Sequence, residues 1–150
     1  MISYIEVGFI WFTINILVTK ITKNNLDQIG ECISFLHSTS ATLLTYNQLT
    51  NITKEDYINP VQNSKIQNLI LFSSACYFMV DLFKVCIPKR SLMYGGHHLS
   101  SLFIIGYFVY TNTYSNVLMY VIFYAEVAVP FYVLYKYMYS NHKQLKVVNF

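Results

Sequence analysis

Long apolar runs recur along this chain and are separated by short polar connections. The runs lie near residues 2–19, 29–49, 66–87, 92–111 and 117–139. Each is close to the length of about 20 residues that a helix needs to cross the hydrocarbon core of a bilayer. The pattern predicts an all-α integral membrane protein, folded as one bundle of about five transmembrane helices over residues 1–150.

The second run is the least apolar of the five, because it carries many serines and threonines together with His37 and Gln48. A span of this polarity inserts poorly alone. It suits the middle of a bundle, where hydroxyl groups bond to neighbouring helices and small residues allow close approach. We therefore expect this helix to be surrounded by the others.

The composition supports a membrane protein. Hydrophobic residues make up 55% of the chain and charged residues 11%, whereas soluble domains average about 25% charged residues. The net charge of +3 is small, and basic residues are not interleaved with aromatic ones, so we expect no nucleic-acid partner. The abundance of Ile, Asn, Lys and Tyr is typical of an A/T-rich genome, such as that of a protist or a large DNA virus, and a viral protein would lie in a host membrane.

Cationic residues divide unevenly between the two ends of the predicted bundle. Eight belong to connections 20–28, 88–91 and 140–150 or to the adjoining span ends, and they are Lys20, Lys23, Lys84, Lys89, Arg90, Lys136, Lys143 and Lys146. The other side holds only Lys54 and Lys65. The positive-inside tendency then places the C-terminus in the cytoplasm and the N-terminus in the lumen or outside. The first run lacks preceding basic residues and a cleavage site, so we expect it to remain as an anchor.

Two further features belong to this topology. Asn51-Ile52-Thr53 is an N-glycosylation sequon on the predicted lumenal side, close to the membrane. Cys32, Cys76 and Cys86 are odd in number and show no CxxC spacing. We interpret them as small packing residues and not as disulfide partners or zinc ligands.

Five ionisable residues that hydropathy alone would exclude lie inside four of the predicted spans, and they are His37, Asp81, the pair His97 and His98, and Glu126. At about 1.5 Å of rise per residue, the first three of these positions lie at similar depths of about 8–12 Å from the cytoplasmic end, and Glu126 lies about 18 Å deep. Polar groups inside a membrane normally face a protein interior and are functional. We therefore predict that these side chains meet in one cavity that opens toward the cytoplasm.

The helical periodicity adds three residues and assigns roles. Tyr77 shares a face with Asp81, and Tyr94 and Ser101 share a face with the histidine pair. Adjacent histidines point about 100° apart on a helix, so one of them would act on a ligand while the other orients Asp81. The candidate catalytic residues are therefore His97, His98 and Asp81, and the candidate ligand- or substrate-binding residues are His37, Glu126, Tyr77, Tyr94 and Ser101.

Simpler interpretations of the same residues remain open. Lys84 lies one turn after Asp81 and would neutralise it, and Glu126 would bond to the backbone near the kink at Pro130. His37 would serve as a hydrogen-bond donor between helices. His37, Asp81 and one histidine of the pair also offer metal ligands, but membrane di-iron hydroxylases use many more histidines, so we expect no metal and no cofactor. The sequence contains no GxSxG element for a serine nucleophile.

Four motifs in order resemble the TLC-domain family, whose members include ceramide synthases, translocon-associated membrane proteins, a cargo receptor and lipid-homeostasis proteins. They are Phe35-Leu36-His37-Ser38, Tyr77-Phe78-Met79-Val80-Asp81-Leu82, His97-His98-Leu99-Ser100 and Ala125-Glu126-Val127-Ala128-Val129-Pro130-Phe131. The chain departs from the family pattern in two respects. It stops before the element and the helix that normally follow Pro-Phe, and it has no acid between the His pair and the Glu, where the synthase branch carries an additional His-Asp and a later Asp.

The resemblance implies three functions. The first is lipid binding or membrane-lipid homeostasis through the polar cavity, in the endoplasmic reticulum or a related endomembrane. The second is a ceramide-synthase-like N-acyltransferase, in which acyl-CoA is a substrate and a histidine of the pair acts as base or acyl carrier. The third is a trafficking or translocon adaptor without catalysis. A membrane-protein partner or a second copy of the chain would then complete the shortened bundle.

Overall fold

The chain folds into helices over the residues that its computed structural model describes, which are 3–58, 61–88 and 92–148. They are α1 (Tyr4–Ile21), α2 (Leu26–Leu49), a short α3 (Glu55–Ile58), α4 (Lys65–Asp81), α5 (Leu92–Thr111), α6 (Ser115–Glu126) and α7 (Val129–Val148). A π-helical turn, Leu82–Cys86, continues α4. These described ranges contain no β-strand, so the predicted all-α class is confirmed. Ile2, Lys89 and Arg90, which enter the predicted spans and charge balance, lie outside them.

Three helical segments within the described ranges are long and apolar enough to cross a membrane: Tyr4–Ile21, Lys65–Lys84 and Ser115–Tyr139. They correspond to the first, third and fifth predicted spans. Helices α2 and α5 have sufficient length, with 24 and 20 residues, but are not among these three segments. The bounds of α5 match the predicted span 92–111.

Local sequence signals set the helix ends. Ser3 before α1 and Ser64 before α4 each form a capping box, with Glu6 and Gln67 as the reciprocal partners. Asn25 caps α2 by accepting hydrogen bonds from the first-turn amides. In these cases a short polar side chain satisfies amide groups that the helix leaves without partners.

The predicted fifth span corresponds to the apolar helical segment Ser115–Tyr139, within which the helical hydrogen bonding is interrupted once. Helix α6 ends at Glu126 and α7 begins at Val129, one residue before Pro130. Proline has no amide hydrogen and its ring clashes with the preceding turn, which breaks the ladder of backbone hydrogen bonds. The interruption directly follows Glu126.

Helices α2 and α4 form the centre of the bundle. Helix α2 packs against α1, α4, α6 and α7, and α4 packs against α1 and α5 as well. The expectation that the most polar helix would be surrounded is confirmed, since its buried face carries His37, Ser38 and Thr45 beside Ile29 and Ile33. The hydroxyl groups of Ser38 and Thr45 donate to backbone carbonyls one turn earlier, which satisfies them within the helix.

A network of amide side chains closes one end of the bundle. Gln67 donates to Asn116 at 2.5 Å, and Asn116 donates to the Asp56 carbonyl at 3.3 Å. Asn63 donates to the Phe108 carbonyl at 3.0 Å and accepts from the Ser115 amide at 3.1 Å. These bonds join the connection after α3 to the tight turn between α5 and α6, at the end opposite the turn between α1 and α2.

Candidate functional site

A cavity of about 550 Å³ opens between α2, α4, α5 and the break between α6 and α7. Its size lies within the range of about 300–1,000 Å³ that is common for ligand sites. The polar lining residues near the predicted site are Ser34, Tyr77, Asp81, Tyr94, His97, His98 and Glu126. Six of these were predicted as site residues, and the structure brings them together because four different helices converge here.

His98 and Asp81 form the closest polar contact in the cavity wall. The His98 Nε2 atom lies 2.6 Å from Asp81 Oδ2, and both residues are buried. With Asp81 as a carboxylate, the ring nitrogen is the donor of this hydrogen bond, as in arrangements where an acid orients a catalytic histidine. Lys84, the alternative neutralising partner in the sequence, is exposed, so histidine and not lysine faces Asp81.

The two adjacent histidines face different surroundings, as the helical geometry predicts. His98 is 5% exposed and lies against Asp81. His97 is exposed and lines the cavity, with its ring edge-on to Phe78 at a centroid distance of 6.1 Å. One imidazole is thus held by an acid, and the other is accessible to a ligand.

His37 does not line the cavity and lies behind Tyr77, which does. Its ring stacks on Tyr77 with centroids 3.9 Å apart, and it is 2% exposed. The His37 Nε2 atom lies 3.7 Å from Glu126 Oε1, beyond a hydrogen bond but close enough for an ion pair when the ring is protonated. Tyr77, whose hydroxyl is 3.1 Å from Ser34 Oγ, separates His37 from the open space.

Ser101 and Tyr94 differ in their relation to the cavity. The Ser101 hydroxyl donates to the backbone carbonyl of His97 at 2.9 Å, and Ser101 does not line the cavity. Tyr94 does line it and is 60% exposed. The shared helical face that suggested both residues is real, but only Tyr94 reaches the space.

Cys86 joins the site through the π-helical turn. Its thiol donates to Asp81 Oδ2 at 3.5 Å, and its side chain is buried against the cavity. The turn closes with a hydrogen bond of 2.9 Å from the Ile87 amide to the Leu82 carbonyl. Sequence reasoning missed this residue because five positions after Asp81 an ordinary α-helix points elsewhere.

Charged residues at the mouth of the cavity were also missed. Glu31 on α2 forms an ion pair with Lys136 on α7, and Asp27 lies nearby in the same lining. The sequence did contain a signal for them, because Asp27, Glu31 and Lys136 all lie near the ends of predicted spans, on the side of the cationic connections. The pair links α7 to the central helix and borders the entrance.

The predicted N-glycosylation sequon begins at Asn51 and is separate from the residues of the cavity. The Asn51 side chain is exposed and its Nδ2 atom donates to the Asn47 carbonyl at 2.8 Å. The Thr53 hydroxyl donates to Asp56 at 2.8 Å. Both sequon side chains therefore have intramolecular partners in this conformation, and glycosylation at Asn51 stays a prediction.

No family model, curated protein or solved structure matches this chain. The resemblance to the TLC-domain family therefore rests on the four motifs. Their polar residues are His37, Asp81, the His97–His98 pair and Glu126, and these lie in or directly behind one cavity.

Proposed function

We propose that this chain is a five-span membrane protein of TLC-domain type that binds a membrane lipid in the cavity. The observation that supports it is the composition of the cavity wall. Polar groups of Asp81, His97 and His98 lie beside the apolar side chains of Phe78 and Val133. Apolar walls with a few placed polar groups are typical of sites for small amphiphilic ligands.

The packing of α2 and α5 supports their insertion into a membrane. Helix α2 turns its buried polar face toward its neighbours, so lipid would meet mainly its other side chains. Helix α5 places His98 against Asp81, while Phe103 and Tyr110 are exposed. Polar residues that face the bundle are tolerated within a membrane, which is consistent with five spans.

The orientation follows from charge. Asp27, Cys86 and Lys136 line the cavity and lie near the connections with most of the cationic residues, which the positive-inside tendency assigns to the cytoplasm. The amide network closes the other end. A lipid would therefore place its headgroup near His97 and Asp81 and its chain along the apolar wall. The membrane would be the endoplasmic reticulum or a related endomembrane, as the resemblance to the TLC-domain family implies.

Photocrosslinking with a bifunctional long-chain lipid probe in membranes tests this proposal. The His97→Ala/His98→Ala variant should lose about tenfold in labelling, equivalent to ~1.4 kcal/mol of binding free energy. Phe103→Ala/Ile104→Ala is the matched control, because it removes two adjacent exposed side chains of the same helix. Equal labelling of the wild type and the histidine variant would argue against this cavity as the lipid site.

A second candidate function is N-acyl transfer of the ceramide-synthase kind, and the His98–Asp81 contact favours it. A histidine oriented by a carboxylate is suited to remove a proton from an amine nucleophile. Membranes that contain the protein would be incubated with a sphingoid base and acyl-CoA, with His98→Gln as the control. Ceramide formation no greater than in that variant would remove this candidate and leave lipid binding, or an adaptor role, to be distinguished by the crosslinking result.

A further inference from the structure

Three potential metal ligands converge in the wall of the cavity. A carboxylate oxygen of Asp81, the Cys86 sulfur and a His98 ring nitrogen all lie within 4.8 Å of one another, and the three residues are buried. A sulfur, a nitrogen and an oxygen donor form a typical ligand set for zinc, which binds cysteine, histidine and aspartate. Lipid binding as proposed above makes no use of Cys86.

The backbone is locally altered in the way this convergence requires. Residues five apart on an α-helix point about 140° apart, at about 100° per residue. The π-helical turn Leu82–Cys86 widens the helix by one residue and brings Cys86 onto the face of Asp81. Such turns are rare and occur frequently at functional sites.

The buried carboxylate also lacks a partner on one side. Asp81 is 6% exposed, and within the described residues its Oδ1 atom has no hydrogen-bond partner. Buried polar atoms without a partner are uncommon and costly. Because Oδ1 makes no hydrogen bond, the carboxylate can rotate without breaking one, and Oδ2 lies within reach of a cation that Cys86 and His98 would share.

We propose that Asp81, Cys86 and His98 bind one zinc ion, with the fourth coordination position open to the cavity. The thiol would lose its proton to solvent, and the thiolate and carboxylate would together neutralise the divalent ion. His98 would coordinate through Nε2 and keep its proton on Nδ1. An electrically neutral site is favourable where the surroundings are apolar.

The distances are compatible with this site. Zinc bonds of about 2.0–2.3 Å in a tetrahedron place ligand atoms about 3.4 Å apart. The separation of 3.5 Å between Cys86 Sγ and Asp81 Oδ2 already agrees. The 2.6 Å contact of His98 with Asp81 would open by roughly 0.8 Å to reach that tetrahedral spacing, through rotation of the carboxylate. Three protein ligands with one open position are characteristic of catalytic rather than structural zinc.

The open position would accept a water or a headgroup oxygen, and only the headgroup assignment rests on the proposed lipid binding. The inference revises the expectation, drawn from sequence, that the chain uses no metal and that its cysteines only pack. That expectation rested on the odd number of cysteines, the absence of CxxC spacing and the small number of histidines, and none of these considers a π-helical turn.

Metal analysis of the full chain, purified in detergent and exchanged into zinc-free buffer, tests the proposal. We expect about one zinc ion per chain and, after cobalt substitution, a thiolate-to-cobalt charge-transfer band. Cys86→Ser should abolish that band, and Cys86→Ser and His98→Gln should each weaken zinc affinity by at least about tenfold. Cys76→Ser, on the helix that the π-helical turn continues, is the matched control and should retain both signals.

A second measurement does not depend on whether the variants fold. A chelator should lower the thermal unfolding midpoint of the wild type, and zinc should restore it, because metal binding stabilises the folded state. Wild type without zinc uptake, or equal affinity in wild type and Cys86→Ser, would overturn the site. Lipid crosslinking of chelator-treated protein tells the two proposals apart, since labelling that persists without metal supports the lipid site alone.

Discussion

The imidazole of His37 stacks on the ring of Tyr77, with centroids 3.9 Å apart and ring planes 7° apart. The stack places a histidine of the most central helix behind a tyrosine that lines the cavity. His37 does not line the cavity, and its nearest links to the cavity wall are Tyr77 and Glu126. A direct binding role for His37, as its depth along the helix suggested, stays a prediction.

Truncating Tyr77 should separate packing from hydrogen bonding. Tyr77→Ala removes a buried ring and should lower the free energy of unfolding by about 3 kcal/mol or more. Tyr77→Phe keeps the stack and loses only the contact with Ser34, which should cost about 0.6 kcal/mol within a membrane protein. Unfolding in detergent micelles measures both. Similar losses for the two variants would show that the stack contributes little.

Chemical modification should distinguish the three histidines of the site. His97 is exposed in the cavity, whereas His98 and His37 are 5% and 2% exposed. Diethyl pyrocarbonate attacks accessible neutral imidazoles, so His97 should react first and the other two much more slowly. Mass spectrometry of the modified peptides gives the three rates. Faster reaction at His98 than at His97 would contradict the orientation of α5.

The amide network should show strong coupling between Gln67 and Asn116, which bond to each other while buried. Gln67→Leu alone leaves the Asn116 amide oxygen without its donor and should destabilise the protein by about 1–3 kcal/mol. Replacing both residues by Leu removes the unsatisfied group and should recover part of that loss. A double-mutant cycle in detergent measures the interaction. Additive effects would indicate that the two amides act independently.

The turn at Thr53 should weaken in acid. The Thr53 amide and hydroxyl both donate to Asp56, at 2.8 Å each, and these bonds lower the pKa of the Asp56 carboxyl below its ordinary value of 3.8. A lowered folded-state pKa means that the stabilisation is complete above that ordinary value and is lost as the pH falls through the lowered one.

Amide exchange at Thr53, followed by NMR between neutral and acidic pH, checks this expectation. Protection should persist until the carboxyl protonates and then decrease. Asp56→Asn should remove the pH dependence, and Glu55→Gln at the exposed neighbouring position is the control. Protection that stays constant to the lowest pH would show that Asp56 does not hold the turn.

Several features of the fold were predictable because they depend on local physics. Length and apolarity define the helices of α1, α4 and α6–α7, since a helix in a membrane needs only a long apolar run. The crowding of hydroxyl groups in α2 indicated its central position. The spacing of His97 and His98 implied two different surroundings, because the angle per residue is a property of any α-helix.

Other features depended on backbone irregularity and on the angles at which helices meet. A period of 3.6 residues does not predict the π-helical turn, so the contact of Cys86 with Asp81 was not predicted from the sequence. The depth of a residue along its helix does not say which of two residues at the same depth lies nearer to the cavity. The sequence therefore did not predict that Tyr77 lies between His37 and the cavity. The sequence predicted a kink at Pro130. It did not predict that Lys136 on α7 would pair with Glu31.

The linear order of residues thus determined the helical character of this protein, the helices that are long and apolar enough to cross a membrane, and the set of polar residues within them. Those properties follow from transfer of side chains out of water and need no knowledge of neighbours. The contacts between these residues depend on the tertiary structure alone. It brings His98 against Asp81 and stacks His37 on the ring of Tyr77. Such choices depend on differences of a few ångströms between helices, which only packing of the whole bundle sets.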